Sequence, residues 1–200
     1  MNLRPDQVGW ETIPPDMDPA IYKRALLTPA SGRSIDVPDG VLRLPWSPGA
    51  SIAWPAEGTI NEAVVLGVFE RIEDIVGFWR DLYRACAHGA YVHLQAPYWS
   101  HVDAVGDPTR RRGISERHLA YLSASGRLHL RDDPYEDGVA LAAFTGIDFD
   151  TIRMVHLAEP EWDGRGDADR ERALLHLLNV ARRLEVTLLC HKPSRAAGDV

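Results

Sequence analysis

Apolar positions fall into short β-branched runs and one helical stripe, and the pattern is clearest between Asn61 and Ser115. Ala63-Val64-Val65-Leu66 is short and continuously apolar, as a strand buried on both faces would be. Ile75, Phe78, Trp79, Leu82, Tyr83 and Cys86 recur at the 3.6-residue period and predict a helix with one apolar stripe. Asp74 is placed to cap its start, and His88-Gly89 to close it, with Gly89 in the left-handed region. Tyr91 to Ala96 then reads as a strand that stops at Pro97. Strand, helix and strand over about 35 residues predict a βαβ crossover, the building unit of a parallel sheet.

The remaining elements are weaker. Arg24-Ala25-Leu26-Leu27 predicts a first strand, and Ile35, Val37 and Val41 to Leu44 predict short strands broken by Pro38, Pro45 and Pro48. No helical pattern appears between Ser31 and Asn61, so the N-terminal half is expected to be shortened and irregular. Ser115 caps a predicted short helix containing Leu119 to Leu122, and Ser123 to Gly138 is polar and turn-rich. Ile152 to Leu157 predicts a strand. A helix from about Asp169 to Leu184 is expected to carry Ala173, Leu174, Leu177, Leu178 and Ala181 on one face. It leads into a last strand, Val186 to Cys190, ended by Pro193. The fold class is α/β, Rossmann-like, with a mostly parallel sheet. Residues 1–22, with Pro5, Pro14, Pro15 and Pro19, form a Pro-rich arm, 23–195 one domain, and 196–200 a tail. Trp10, Ile13 and Met17 on that arm are costly to leave in water, which suits an arm that clasps a partner subunit.

Bulk composition narrows the partners. A net charge of −7 and a pI near 5.6 argue against a nucleic-acid backbone. No apolar run approaches the roughly 20 residues of a membrane span, and the N-terminus lacks a signal-peptide layout. Cys86 and Cys190 have no metal-site spacing, and Cys86 lies on the apolar stripe, so buried reduced thiols and a cytoplasmic location are expected.

Several short motifs carry a resemblance. Trp54-Pro55, Asn61 to Leu66 and Val68-Phe69-Glu70-Arg71-Ile72 resemble the fourth-strand motif of the class I S-adenosylmethionine-dependent methyltransferases, small-molecule branch, which ends in an apolar pair and Glu-His-Ile. Phe78 to Arg84, His88-Gly89, Val92-His93-Leu94 and Ala96 to Ser100 continue the likeness. Asp107-Pro108-Thr109-Arg110 is similar to an Asp-Pro-Thr-His signature after the fifth strand, and Asn179, Leu184 to Val186 and Lys192-Pro193 resemble the closing helix and strand. The resemblance covers roughly 54–122 and 150–193 and implies the methyltransferase fold.

The departures fall where that family holds its cofactor. Thr28-Pro29-Ala30-Ser31-Gly32 stands in place of a glycine-rich turn, and Arg43-Leu44-Pro45 follows the second strand where an acidic residue usually takes the ribose hydroxyls. Guanidinium has only donors and cannot accept from a ribose. Asp36 and Asp39 are the nearest acidic substitutes. Gly67, Arg71 and Arg110 stand where the family has histidines. The departures lead to the expectation that the cofactor is absent.

Chemistry is therefore expected on the loop after the second central strand, since ligands of open α/β sheets bind beyond the carboxyl ends of strands. Asp107 reads either as an Asx-turn carboxylate or as a general base. His101 and Asp103, two apart, share a side on an extended segment and would orient an imidazole for proton transfer; with Asp107 they make only a weak metal signal. Glu70, Tyr98, Trp99, Ser100, Arg110 and Arg111 complete the expected substrate-binding set, the arginines for an anionic group. His93 is expected as a satisfied core histidine. The leading expectation is a cofactor-independent enzyme acting on a small polar metabolite by intramolecular ring closure, aziridine-type, in bacterial accessory metabolism. Two alternatives stand beside it: a non-catalytic subunit of a homo- or hetero-oligomer, and a methyltransferase with a divergent cofactor site.

Overall fold

The computed structural model describes residues 22–31, 39–124 and 145–195. The Pro-rich arm before Tyr22, Ile35, Asp36, Val37, most of the turn-rich segment after Ser123 and the 196–200 tail lie outside the described residues.

Six strands form one sheet: β1 (Arg24–Pro29), β2 (Val41–Trp46), β3 (Ile60–Leu66), β4 (Cys86–Pro97), β5 (Phe149–Ala158) and β6 (Ala181–Cys190), in the order β2-β1-β3-β4-β6-β5. β1, β2, β3 and β4 pair in parallel, whereas β6 runs antiparallel to both β4 and β5. The sheet is thus mixed. Because the order reverses at β1, the topological switch point lies between β1 and β3, at whose carboxyl ends open α/β sheets bind their ligands.

Helix α1 (Ile75–Ala85) follows β3. Asp74 caps it, accepting from the Gly77 amide at 2.8 Å. Its stripe buries Phe78, Trp79 and Leu82 in one core with Ala63 and Val65 of β3, Val92 and Leu94 of β4, and Val186 and Leu188 of β6. Trp79 is the largest wholly buried side chain among the described residues and lies 5.8 Å from Phe69 and 5.9 Å from Phe149, ring to ring. The helix ends at Ala85, earlier than the expected His88; Gly89 does take a positive φ of 75°, but inside the long β4. Between β2 and β3, residues 47–59 hold no helix, in keeping with the shortened N-terminal half.

Two elements depart from the sequence reading. A one-turn helix, α2 (Val102–Val105), interrupts the expected loop, and α3 (Glu116–Ala120) follows with Ser115 as its cap. The last helix, α4 (Asp167–His176), stops well short of Leu184, and β6 begins at Ala181. Asn179 is the reason. It adopts φ 59°, its side chain accepts from the Val102 amide at 2.7 Å, and its own amide donates to the Ser100 carbonyl at 3.2 Å. Leu184 and Arg183 are then claimed by β4, opposite Ala96 and Pro97. The expected apolar face of that helix forms only in part: Ala173 and Ala181 are buried and Leu174 packs against the core, whereas Leu177 and Leu178 are 49% and 70% exposed.

Candidate functional site

The loop after β4 folds back over the end of β3. The amides of Arg111 and Arg112 reach the Glu70 carbonyl, Arg112 donates to the Ile72 and Glu73 carbonyls, and Ile114 exchanges backbone bonds with Pro97 and Trp99. Glu70 sits in a 3-10 turn (Phe69–Arg71) just past β3. This brings Glu70, Arg71, Asp107 and Arg110 into one cluster at the carboxyl ends of β3 and β4.

Arg71 is its centre. Its Nη1 donates to Glu70 Oε1 at 2.8 Å, its Nη2 to Asp107 Oδ2 at 2.8 Å, and its Nε to the Thr109 hydroxyl at 3.1 Å. Asp107 Oδ1 accepts from the Thr109 amide at 2.9 Å and from its hydroxyl at 2.7 Å, so the Asx-turn of the sequence reading is present. Those Thr109 bonds first, and then the Arg71 and Arg110 charges, hold the Asp107 carboxyl below the ordinary aspartate range. Arg110 is anchored by Nη1 on the Asp103 carbonyl, and its Nε lies 3.8 Å from Glu70 and 3.7 Å from Asp107 without a hydrogen bond. Glu70 is 3% exposed, and its Oε2 has no hydrogen-bond partner among the described residues. Arg111 faces outward, 3.3 Å from Glu73.

His101 and Asp103 do not form the expected side-chain pair; their nearest charged atoms stand 3.9 Å apart. The buried His101 accepts from the Asp103 amide through Nδ1 at 2.9 Å, which leaves Nε2 as the donor to Glu159 Oε1 at 2.9 Å. Asp103 instead accepts from Arg182 at 2.8 Å. Burial raises the Asp103 carboxyl, but the hydrogen bond and charge of Arg182 and the charge of Arg110 outweigh it and hold the group below its ordinary value. Tyr98 is buried and donates to Glu116 at 3.0 Å; burial, with the Glu116 charge, pushes its hydroxyl up to about 12. The neighbouring Trp99 is exposed, and Ser100 is buried, its hydroxyl unpartnered among the described residues. His93 is satisfied within the sheet by Thr187 and Glu62, each at 3.2 Å. Among the described residues no three His, Cys, Asp or Glu side chains converge as a metal would require.

Sequence reasoning placed Glu70, Asp107 and Arg110 together but missed Glu159, Arg182, Glu116 and His156 as partners. Arg182 and His156 come from β6 and β5 and Glu159 from the turn just after β5, which the antiparallel return of those strands brings near, whereas Glu116 comes from α3.

The switch point offers little that would hold S-adenosylmethionine. Pro29, at the end of β1, has no N–H, and its ring lies beside Gly67, 3.5 Å from where a Cβ there would stand. The next amide, Ala30, is spent on the Trp46 carbonyl at 2.7 Å. β2 ends in Trp46, buried, with its indole N–H given to the Ala50 carbonyl at 3.1 Å, rather than in a carboxylate. The described residues at the ends of β1 and β2 therefore do not supply the amides and acceptor pair that this cofactor's amino-acid and ribose ends require.

No family model and no curated protein matches the sequence. Solved structures align with parts of this chain. An S-adenosylmethionine-dependent methyltransferase of Listeria monocytogenes aligns with a TM-score of 0.45 at 9% identity, over 87% of this chain and 93% of that one. One of Archaeoglobus fulgidus gives 0.43 at 8%, over 66% of this chain and 60% of that one. A Haloferax volcanii methyltransferase in complex with the Trm112 methyltransferase activator gives 0.43 at 11%, over 78% and 64%. This chain thus spans less than two thirds of the Archaeoglobus and Haloferax chains.

The strand order and the helix between β3 and β4 make the fold α/β and Rossmann-like, with a mixed sheet. The expectation of a protein without a cofactor is not carried forward, since solved structures that align with this chain are described as S-adenosylmethionine-dependent methyltransferases. No helix among the described residues is long and apolar enough to cross a membrane.

Proposed function

We propose that this methyltransferase-fold protein binds a small polar metabolite beyond the carboxyl ends of β3 and β4, with Glu70 and Arg110 as its polar anchors. The observation that carries this reading is the Glu70 carboxylate, buried yet with Oε2 unpartnered among the described residues. A buried acceptor left unsatisfied costs about 1–3 kcal/mol, which a ligand N–H or O–H would recover. Arg110 Nε, likewise unpartnered and 3.8 Å from Glu70 Oε1, supplies a donor to an acceptor or anionic group on the same ligand. The three groups expected as acid and base are already engaged: Asp107 by Arg71 and Thr109, Asp103 by Arg182, His101 by Glu159 and an amide. This cluster suits recognition rather than proton transfer.

Calorimetry with S-adenosylmethionine and its demethylated product, followed by a thermal-shift screen of polar amines and alcohols, tests the reading. A ligand that stabilises the wild type and loses about tenfold in affinity in Glu70→Gln supports it. A ligand whose affinity is the same in Glu70→Gln and Arg110→Met removes it.

The engagement of all three acid–base groups also favours a second reading, a non-catalytic subunit of an oligomer. Co-purification with a methyltransferase-like chain would support that reading, and a monodisperse monomer that turns over substrate would remove it.

A further inference from the structure

The opposite end of the sheet, away from the Glu70 cluster, holds two cysteines. Cys86 opens β4 directly after α1, and Cys190 closes β6, which runs antiparallel to β4. Three hydrogen bonds bracket them. The Tyr83 hydroxyl donates to the His191 carbonyl at 2.6 Å, the Lys192 ammonium to the Arg84 carbonyl at 3.0 Å, and the Lys192 amide to His88 Nδ1 at 3.0 Å. Residues on both sides of Cys86 are thus tied to the two residues after Cys190. Between these ties both thiols are wholly buried in the main core, free of any disulfide, and hydrogen-bonded to each other.

Sulfurs in contact on strand ends already tied at three points have the closeness that a disulfide requires. The chain entropy such a link removes is large, because it closes a loop on the order of 100 residues. Burial decides how readily it forms. The bond to Cys190 first, and then burial, holds the Cys86 thiol well above its ordinary value, against the charge of Lys192. Cys86 is therefore protonated and closed to bulky reagents while these strand ends are shut. His88 is exposed and both bonds from Lys192 lie at the surface, so local opening there admits a small oxidant.

We infer that Cys86 and Cys190 form a reversible disulfide on exposure to a hydroperoxide, locking the amino end of β4 to the carboxyl end of β6. In the first step one thiol gives up its proton, and its sulfur takes a peroxide oxygen as the O–O bond breaks and water leaves. In the second the other sulfur attacks this sulfenic acid. The S–S bond forms, the S–O bond breaks, and a second water carries off the remaining thiol proton. Two electrons pass from the thiol pair to the peroxide. Glu70 and Arg110, at the other end of the strands, take no part.

Hydrogen peroxide on the full-length native protein tests it, with free thiols counted after denaturation. The wild type should fall from two free thiols to none while remaining a single chain, and dithiothreitol should restore both. A peptide map without reductant should join Cys86 to Cys190. The oxidised protein should unfold about 10 °C higher than the reduced one. Cys190→Ala leaves one sulfur without a neighbour and should show no such rise; Glu70→Gln should behave as the wild type, so failure here and failure of the ligand site are told apart. Cysteines recovered as sulfinic acids or joined between chains overturn the inference, as do thiols left intact by peroxide that has oxidised the exposed Met154. A cross-linked protein that unfolds no higher than the reduced one overturns the lock.

Discussion

Arg71 holds two carboxylates from separate segments at equal distance: Glu70, beside it in the turn after β3, and Asp107, in the loop after β4, each at 2.8 Å. The loop is thereby tied to the end of β3. Arg71 stands where the resembling family has histidine, and a longer, permanently charged fork is what lets one side chain reach both partners.

Arg71→Met leaves the Glu70 carboxylate buried, with Arg110 at 3.8 Å as the nearest remaining cation among the described ion pairs. Breaking one side of a buried pair is strongly destabilising, and partial exposure of the arginine moderates it, so a loss of about 3 kcal/mol is expected. Urea unfolding reads this as a lower midpoint at unchanged slope. Arg71→Met combined with Glu70→Leu should recover most of it, since no buried charge is then left alone.

Gly113 is the tightest point of the same loop. A Cβ there would lie 2.5 Å from Trp99 Cα and 2.8 Å from its nitrogen, both backbone atoms that cannot step aside. Gly113→Ala should cost about 2 kcal/mol by overpacking and break the Trp99 amide bond to Ile114. Hydrogen exchange at the Trp99 amide, slow in the wild type and fast in the variant, checks this directly.

The legible parts of the fold were those written in local pattern. The α1 stripe and its Asp74 cap, the apolar run of β3 and the stop at Pro97 each follow from neighbours in sequence. What local pattern could not show was competition between distant segments. Leu177, Leu178 and Ala181 continue a good helical stripe, yet Asn179 is captured by Ser100 and Val102, and β4 claims Arg183 and Leu184. The site divides the same way. Glu70, Asp107 and Arg110 were legible because the βαβ unit itself brings two strand ends together. The pairing of His101 with Glu159, and of Glu116 with His156, depends on the reversed β6 and carried no sequence signal.

Asn179 itself supports a prediction. Asn179→Ala loses the acceptor for the Val102 amide and places at φ 59° a residue without asparagine's tolerance of the left-handed region. Asn179→Gly loses the acceptor alone. The alanine variant should be the less stable by about 1 kcal/mol, with the glycine variant between it and the wild type. Thermal unfolding of the three proteins gives the order, and an alanine variant at least as stable as glycine would show that the backbone there is not held left-handed.

His118 sets the pH response. It is packed beside Trp79, whose indole N–H donates to its Nε2 at 3.4 Å, a bond that needs an unprotonated nitrogen. Burial first, and the Arg112 charge second, lower its pKa from 6.5 to about 4. In the unfolded chain the same imidazole takes a proton near pH 6.5, so between these values the unfolded state binds more protons and stability rises with pH. The contribution is therefore complete above pH 6.5 and is lost as pH falls toward 4, by about 3 kcal/mol in all. Asp103, Asp107, Glu116 and Asp148, all lowered, act in the same direction but at lower pH, below their ordinary carboxylate values. His118→Gln keeps an acceptor for Trp79 and does not titrate. Urea unfolding at a series of pH values should show the wild type losing stability across that window and the variant holding level until the carboxylates protonate; parallel curves for the two proteins would place the acid sensitivity elsewhere.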